Sequence, residues 1–308
     1  MSGGVLGRPQ ASLLIIYRTL AFRIALREVY KPGLVLPRRG ESVGSQRRAN
    51  LVIQRIEGVV ELTLDHPERR NALGPDDLRA LHLTLQETAQ DPAVRAVIMT
   101  GSGGSFSAGG DVGVMAESLE RGDLPAMFHD LVGEQERCVR EIVEMPKPVI
   151  AALPGVAAGG GFSLALACDW RIGTPKTVLV TAFTALGGIP DGGLTYFLPH
   201  YLGIGGAQEL LFGGGRLDAQ RARELSLLHE IVPDGELMPR ARARAQELAR
   251  GPVGAYAGIK RLLVSSFANS LETQLALERR AMVEATRGTE LPEGIRAFRA
   301  KRPPRFKS

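Results

Sequence analysis

Cysteine is scarce: Cys138 and Cys168 are the 2 in 308 residues. They form neither a disulfide framework nor a metal-ligand spacing, so a disulfide-stapled module is excluded and a reducing, cytoplasmic compartment is the default. A surplus of one charge sign is also missing from most of the chain. Residues 1–48 hold nine Lys and Arg against two acids, a net of +7, which leaves 29 against 31, or −2, for the remainder. The overall +5 is therefore a property of a leader, and the body lacks the basic excess of a nucleic-acid binder. A long apolar run without breakers is lacking too. Pro148 to Cys168 carries no charge, but Pro154, Gly155, Gly159, Gly160 and Gly161 interrupt it. Those residues break a helix that would have to satisfy every backbone group in lipid, so no membrane span is expected.

The leader itself, residues 1–48, has two readings. Its apolar run Leu13–Ile16 with spaced arginines fits an amphipathic targeting segment for an organelle. The plainer reading is an upstream extension of the start site, disordered in the folded protein. Met1 is followed by no methionine before Met99, so a true start near Val43 on another codon is easily overlooked.

From Leu51 the hydrophobic period becomes legible. Leu51–Ile56 and Val59–Leu64 flank Glu57-Gly58 and predict a hairpin. Gly74-Pro75 opens a helix whose buried face is Leu78, Leu81, Leu85 and Thr88. Val94–Thr100 reads as a strand, 124–145 as a helix closed by Met145-Pro146-Lys147-Pro148, and Val149–Leu153 as a strand. A helix starts at Gly159, strand-like runs follow at Trp170–Ile172 and Val178–Val180, and beyond Thr195 the pattern is helical except at His229–Val232. Alternating strands and helices predict an α/β fold with a mainly parallel sheet. The chain divides into the leader 1–48, an α/β core 49–250 and a helical region 251–308.

Two glycine-rich loops carry the chemical signal. Phe106-Ser-Ala-Gly-Gly-Asp111 follows one strand, and Pro154-Gly-Val-Ala-Ala-Gly-Gly-Gly161 follows another and opens a helix. Glycine lets backbone N–H groups approach a ligand, and a helix start adds a positive dipole end. Two convergent N–H groups are what a developing oxyanion needs. Taken singly, each loop is equally a tight turn. No Gly-Lys-Ser/Thr follows either one, which excludes a Walker A phosphate loop.

The motifs Phe106-Ser-Ala-Gly-Gly-Asp-Val112, Pro146-Lys-Pro-Val-Ile-Ala-Ala-Leu-Pro-Gly-Val-Ala-Ala-Gly-Gly-Gly161 and Ala167-Cys168-Asp169 resemble those of the crotonase (enoyl-CoA hydratase/isomerase) family. So do His66-Pro-Glu-Arg-Arg-Asn-Ala-Leu73, Gly188-Ile-Pro-Asp-Gly-Gly193 and Gly294-Ile-Arg-Ala-Phe-Arg-Ala-Lys-Arg-Pro303, in family order over about residues 50–308. The resemblance implies a ββα spiral core with a C-terminal helical trimerisation region, assembled as a homotrimer or dimer of trimers. It implies an acyl-CoA substrate, coenzyme A being part of that substrate, with no bound cofactor and no metal. It makes the N–H groups of Ala108 and Gly160 the donors to a thioester oxygen, with Ala108, Gly109, Gly110, Asp111 and Gly160 lining the substrate. Arg69, Arg70, Phe298 and Lys301 match coenzyme A contacts, the last two reaching a neighbouring subunit.

At the hydratase positions the chain departs from the family. Ser163 and Phe183 stand where hydratases carry two glutamates, and adding water to a double bond needs both an acid and a base. Asp191 remains, at a position resembling the acid/base of dienoyl-CoA isomerases, of ring-epoxide isomerases acting on phenylacetyl-CoA derivatives, and the nucleophile of halobenzoyl-CoA dehalogenases. One carboxylate suffices to move a proton between carbons, provided burial raises its pKa; Phe183, Leu186 and Phe197 are the expected apolar wall. The bland reading of Asp191 is a cap on the helix that starts near Gly192. His129 reads as a surface or core histidine, Glu117, Glu134 and Glu136 as solvated helix charges, with one of the three reaching the acyl pocket as the alternative, and His66 and His200 as structural. Two rivals stand: a serine hydrolase using Ser163 within Gly161-Phe-Ser-Leu-Ala165, with Asp191 and His200 or His229 as partners, and a non-catalytic acyl-CoA binder.

Overall fold

The structure is a computed structural model that describes residues 45–306. The leader's apolar run and most of its arginines lie outside those residues. Ser45–Arg48 does not belong to a leader: it is strand β1, paired antiparallel with β2 (Leu51–Ile56). Arg48 reaches on to Glu87, and Arg47 to Asp65, so the boundary drawn at 48 falls inside the fold.

β2 turns through Glu57 and Gly58, both at positive φ, into β3 (Val59–Leu64). Helix α1 (Pro75–Gln90) then leads to β4 (Ala96–Gly101). Helices α2 (Val112–Arg121) and α3 (Leu124–Glu144) precede β5 (Val149–Leu153) and β6 (Val156–Ala158). Helix α4 (Gly160–Ala167), β7 (Trp170–Gly173) and β8 (Val178–Val180) follow. The chain continues through α5 (Leu194–Phe212), β9 (Arg216–Asp218), α6 (Ala219–Glu224) and β10 (Glu230–Ile231). Helices α7 (Leu237–Arg250), α8 (Val253–Ser266), α9 (Leu271–Ala285) and α10 (Glu290–Arg299) complete it.

Seven strands form one sheet in the order β1-β2-β3-β4-β5-β7-β10, parallel from β3 onward. Three others, β6-β8-β9, form a second sheet that the sequence pattern did not reveal as such, because β6 and β9 are only three residues long. The uncharged stretch 148–168 is thus strand, turn, short strand and helix. Among the described residues no helix is long and apolar enough to cross a membrane.

β4 is apolar without alternation because both its faces are covered. Val97 and Met99 join the core under α1, α3 and α4, while Ala96 and Ile98 face Ala241, Ala245 and Ala249 of α7. Glu61 is the exception in β3. It is 2% exposed and accepts from Arg242 of α7 through both carboxylate oxygens, at 2.6 and 2.8 Å. Arg242→Ala leaves that carboxylate buried and unpaired. Arg242 is partly exposed, so the expected loss is about 2 kcal/mol rather than the ~3–5 kcal/mol of a fully buried pair, read as a lower midpoint in urea denaturation.

The carboxyl ends of the parallel strands carry the glycine loops, the usual place for a ligand in such sheets. The far end is closed by the C-terminal segment: Arg95, just before β4, donates to the carbonyls of Ala249, Gly251 and Phe306.

Candidate active site

The two glycine loops are joined by a short zipper. The N–H groups of Phe106 and Ser107 both donate to the Val156 carbonyl, at 2.9 and 3.1 Å, and Ala158 N–H donates back to Ser107 at 2.9 Å. Asn71 supports the first loop from below. Its amide donates to the carbonyls of Ser102 and Ser105, and its own carbonyl accepts the Ser107 hydroxyl at 2.7 Å. Gly109, at φ +88°, is pressed so close to the second loop that a Cβ there would lie 2.6 Å from the Ala158 oxygen and 3.2 Å from the Gly160 nitrogen.

This geometry corrects one expected donor. Ala108 N–H is spent on the Arg70 carbonyl at 2.9 Å, and Gly109 N–H on the Ser107 hydroxyl at 3.1 Å. The next amide in the loop, that of Gly110, has no partner among the described residues, and neither has that of Gly160. The amide that faces outward is therefore two residues further along than the sequence pattern had it. A residue's order in a motif does not say which way its N–H points; Arg70 and Asn71, both at left-handed φ, place the Arg70 carbonyl under Ala108.

Asp111 fixes the exit from this loop. Its carboxylate caps α2 through the N–H groups of Gly113 and Val114 and pairs with Arg69 at 2.7 Å. Burial alone would raise its pKa, but Arg69 and the two amides outweigh it and hold the carboxyl below the usual range. Arg69 is thereby tied to Asp111, while Arg70 is exposed beside it. Phe298 and Lys301 are not brought to these loops: Phe298 is 86% exposed, and the strap that follows Lys301 docks at the opposite end of β4.

Asp191 lies on the loop before α5. The helix cap is Gly193, which makes no side-chain cap, so the bland reading of Asp191 as a cap does not hold. Its Oδ1 accepts from Gln135 Nε2 at 3.2 Å, and its backbone carbonyl accepts the Ser163 hydroxyl at 3.0 Å. Burial pushes its pKa up to about 6. Of the three residues expected to wall Asp191, Phe183 and Phe197 are partly buried against the core, while Leu186 is 67% exposed and forms no wall. Gln135 also donates to the Gly160 carbonyl at 3.3 Å, so one amide bridges the second glycine loop and the Asp191 carboxylate.

Gln135 was missed from the sequence, although a signal existed. It falls on the apolar stripe Met127, Leu131, Cys138 and Ile142 of α3, where a polar residue must find a partner. Glu134 shares that buried side and is not a solvated charge: it is 7% exposed and pairs with Arg79 and Arg137 of α1 and α3, turned away from Asp191. Glu117 and Glu136 do sit on exposed faces, paired with Arg121 and Arg140, and His129 is exposed.

The serine-hydrolase reading finds no support. Ser163 is fully buried and its hydroxyl is directed at the Asp191 carbonyl. His200 stacks on Phe267, and His229 accepts from the Arg171 N–H beneath Trp170, so neither histidine meets the serine. Both cysteines are buried, and burial pushes their thiols well above the usual value.

Two amide-presenting turns zipped together at the carboxyl ends of parallel strands, beside a three-stranded second sheet, are features of a crotonase fold. The chain belongs to the enoyl-CoA hydratase/isomerase family, whose match covers residues 54–308. It is 38% identical over 251 residues to a Rhodobacter capsulatus protein described as a probable enoyl-CoA hydratase, covering 81% of this chain and 95% of that one. It is 36% identical over 250 residues to the 1,2-epoxyphenylacetyl-CoA isomerase of Escherichia coli K12, covering 81% and 95%. The crystal structure of an enoyl-CoA hydratase from Polaromonas sp. JS666 superposes with a TM-score of 0.79 at 35% identity, covering 86% of this chain and 99% of that one.

Proposed function

We propose that this chain is an isomerase of acyl-CoA thioesters that moves one proton between carbons through an enolate. The thioester oxygen accepts from the N–H groups of Gly110 and Gly160, the two unspent amides of the converging loops. The Asp191 carboxylate removes a proton from carbon; the electron pair left behind is delocalised onto the thioester oxygen, where the two amides stabilise it. Carbon–carbon π bonding shifts by one position, and Asp191 returns the proton to the other carbon. Nothing is consumed besides the substrate. The observation that carries this reading is that Asp191 is a half-buried carboxylate with a raised pKa, bridged to Gly160 by one amide, while Ser163 and Phe183 supply no second acid or base. The relative described as a 1,2-epoxyphenylacetyl-CoA isomerase supports the isomerase reading, and the relative described as a probable enoyl-CoA hydratase marks the alternative that the test below separates from it.

Coenzyme A contacts at Arg70 and the free edge of Arg69 suit the exposed ground beside the first loop. Phe298 and Lys301 suit contacts to the coenzyme A of a neighbouring subunit. The exposed apolar side chains Leu263 of α8, Phe267 just after it, and Leu271, Leu275, Met282 and Val283 of α9 fit burial in a homotrimer or a dimer of trimers.

Asp191 must be ionised to accept a proton, so activity is expected to fall as pH drops through about 6 and to level off above it. The test is incubation with 3-enoyl-CoA and 2,4-dienoyl-CoA in deuterated water, following the conjugated thioester absorbance and deuterium at the α- and γ-carbons. Double-bond migration with exchange supports the reading. Binding with no exchange at either carbon assigns the chain as an acyl-CoA binder and overturns it; net addition of water makes it a hydratase.

A further inference from the structure

Gln135 occupies a slot that two glycines keep open. A Cβ on Gly160 would lie 2.4 Å from its Oε1 and 2.8 Å from its Nε2, and a Cβ on Gly192 would lie 2.3 Å from the same Nε2. A methyl group at either position would expel the amide. Within the slot Gln135 is 5% exposed, and its Nε2 reaches the Gly160 carbonyl on one side and the Asp191 carboxylate on the other. The serine at the first lost glutamate position braces the same loop from behind, through the Asp191 carbonyl. Asp191 is thus fixed at two points, and the fixing groups are the two polar side chains of α3 and α4 that a proton-shuttle mechanism does not otherwise use.

We propose that Gln135 is the positioning residue of the site: it ties the Asp191 carboxylate to Gly160, so that the proton carrier and the oxyanion donor keep one fixed spacing, and it sets how readily Asp191 ionises. This rests on the reading of Asp191 as the proton carrier. An N–H donor favours the ionised form of its acceptor, so the amide works against the burial that raises Asp191. It is unopposed by charge. α4 carries no charged residue, the loop 181–190 carries none, and α5 carries none before Glu209. On α3, Glu134 is turned to Arg79 and Arg137, and Glu136 to Arg140; on α2, Glu117 is turned to Arg121. His200 of α5 is stacked on Phe267.

Gln135→Met fills the slot without a donor. In the full-length enzyme the acid limb of the pH–rate profile is expected to move up by on the order of one pH unit, the worth of one hydrogen bond to a charged group. At neutral pH kcat falls roughly tenfold or more, with KM nearly constant, since the acyl group's own contacts are untouched. Gln135→Ser, which leaves room for water, serves if the Met variant does not fold, and shifts the limb in the same direction by less. Asp191→Asn runs alongside. If Asp191→Asn stays active, the proton-carrier reading itself fails. If Asp191→Asn is inactive while the Gln135 variants keep the parental kcat and acid limb, the positioning role alone is overturned. A lower kcat with an unmoved acid limb also overturns it, because a loosened fold would produce that without any effect on ionisation.

Discussion

Asp191→Asn is expected to abolish isomerisation and to stabilise the fold at the same time. The two effects share one cause. The site holds a carboxylate in surroundings that raise its pKa to about 6 from an ordinary value of 3.8, so the folded chain binds a proton more readily than the unfolded one. The stability this group contributes is complete below about pH 4, declines as pH rises through 4–6, and stays lost above that. At neutral pH the ionised Asp191 therefore costs on the order of 2–3 kcal/mol. Asparagine keeps the shape, still accepts from Gln135, and carries no charge to desolvate. Its melting temperature should exceed the parent's at pH 7 and converge with it near pH 4. Turnover should fall by roughly 10³-fold or more, in the upper part of the range for losing a general acid–base group. Affinity for a non-reactive acyl-CoA analogue, measured by calorimetry, should change by less than about twofold. A variant that is no more stable at pH 7 than at pH 4, relative to its parent, would show that the carboxylate is not strained; retained turnover would remove it from the mechanism.

Much of this site was legible in residue order, and what was not has definable causes. The hairpin at Glu57-Gly58, the start of α1 at Pro75 and strand β5 were placed to the residue, because turn chemistry and continuous apolar runs are local signals. Asp191 stood out because it sits on a glycine loop, Ile189-Pro-Asp-Gly-Gly193, at a position that resembles an acid/base carboxylate of the family. The unpaired amide of the first loop was expected at Ala108 and lies at Gly110, because amide direction is set by the left-handed turn at Arg70 and Asn71, some forty residues earlier in the chain. Gln135 and Glu134 were hidden for a related reason. On one helix they are adjacent, but one meets Gly160 and Asp191 and the other meets Arg79 and Arg137, and only packing separates those fates. Strand β6 was invisible because Val156-Ala-Ala158 lies between glycines and reads as part of the loop 154–161. Yet it is the element that zips the two loops together.

That zipper makes Gly109→Ala a substitution aimed at the spacing of the two loops. The new methyl would lie 2.6 Å from the Ala158 oxygen, a backbone atom held by the same zipper, so neither partner yields without parting the loops. The φ of +88° adds strain of about 1–2 kcal/mol for any residue with a Cβ. Separation of the Gly110 and Gly160 amides removes one of the two proposed oxyanion donors, and kcat should fall by about 10²–10³-fold, the usual cost of one such donor. Gly104→Ala is the matched comparison. It lies in the same loop at φ +79°, but nothing stands within 4 Å of its Cβ position. It should lose only the part of the stability that backbone strain accounts for, about 1–2 kcal/mol read in urea, while keeping kcat/KM within about twofold. Both variants strain the backbone alike; only one presses on the second loop. If the two lose activity equally, general loop strain explains the effect and the paired amides do not. If Gly109→Ala alone loses activity under conditions where both variants remain folded, the spacing between the Gly110 and Gly160 amides is what catalysis requires.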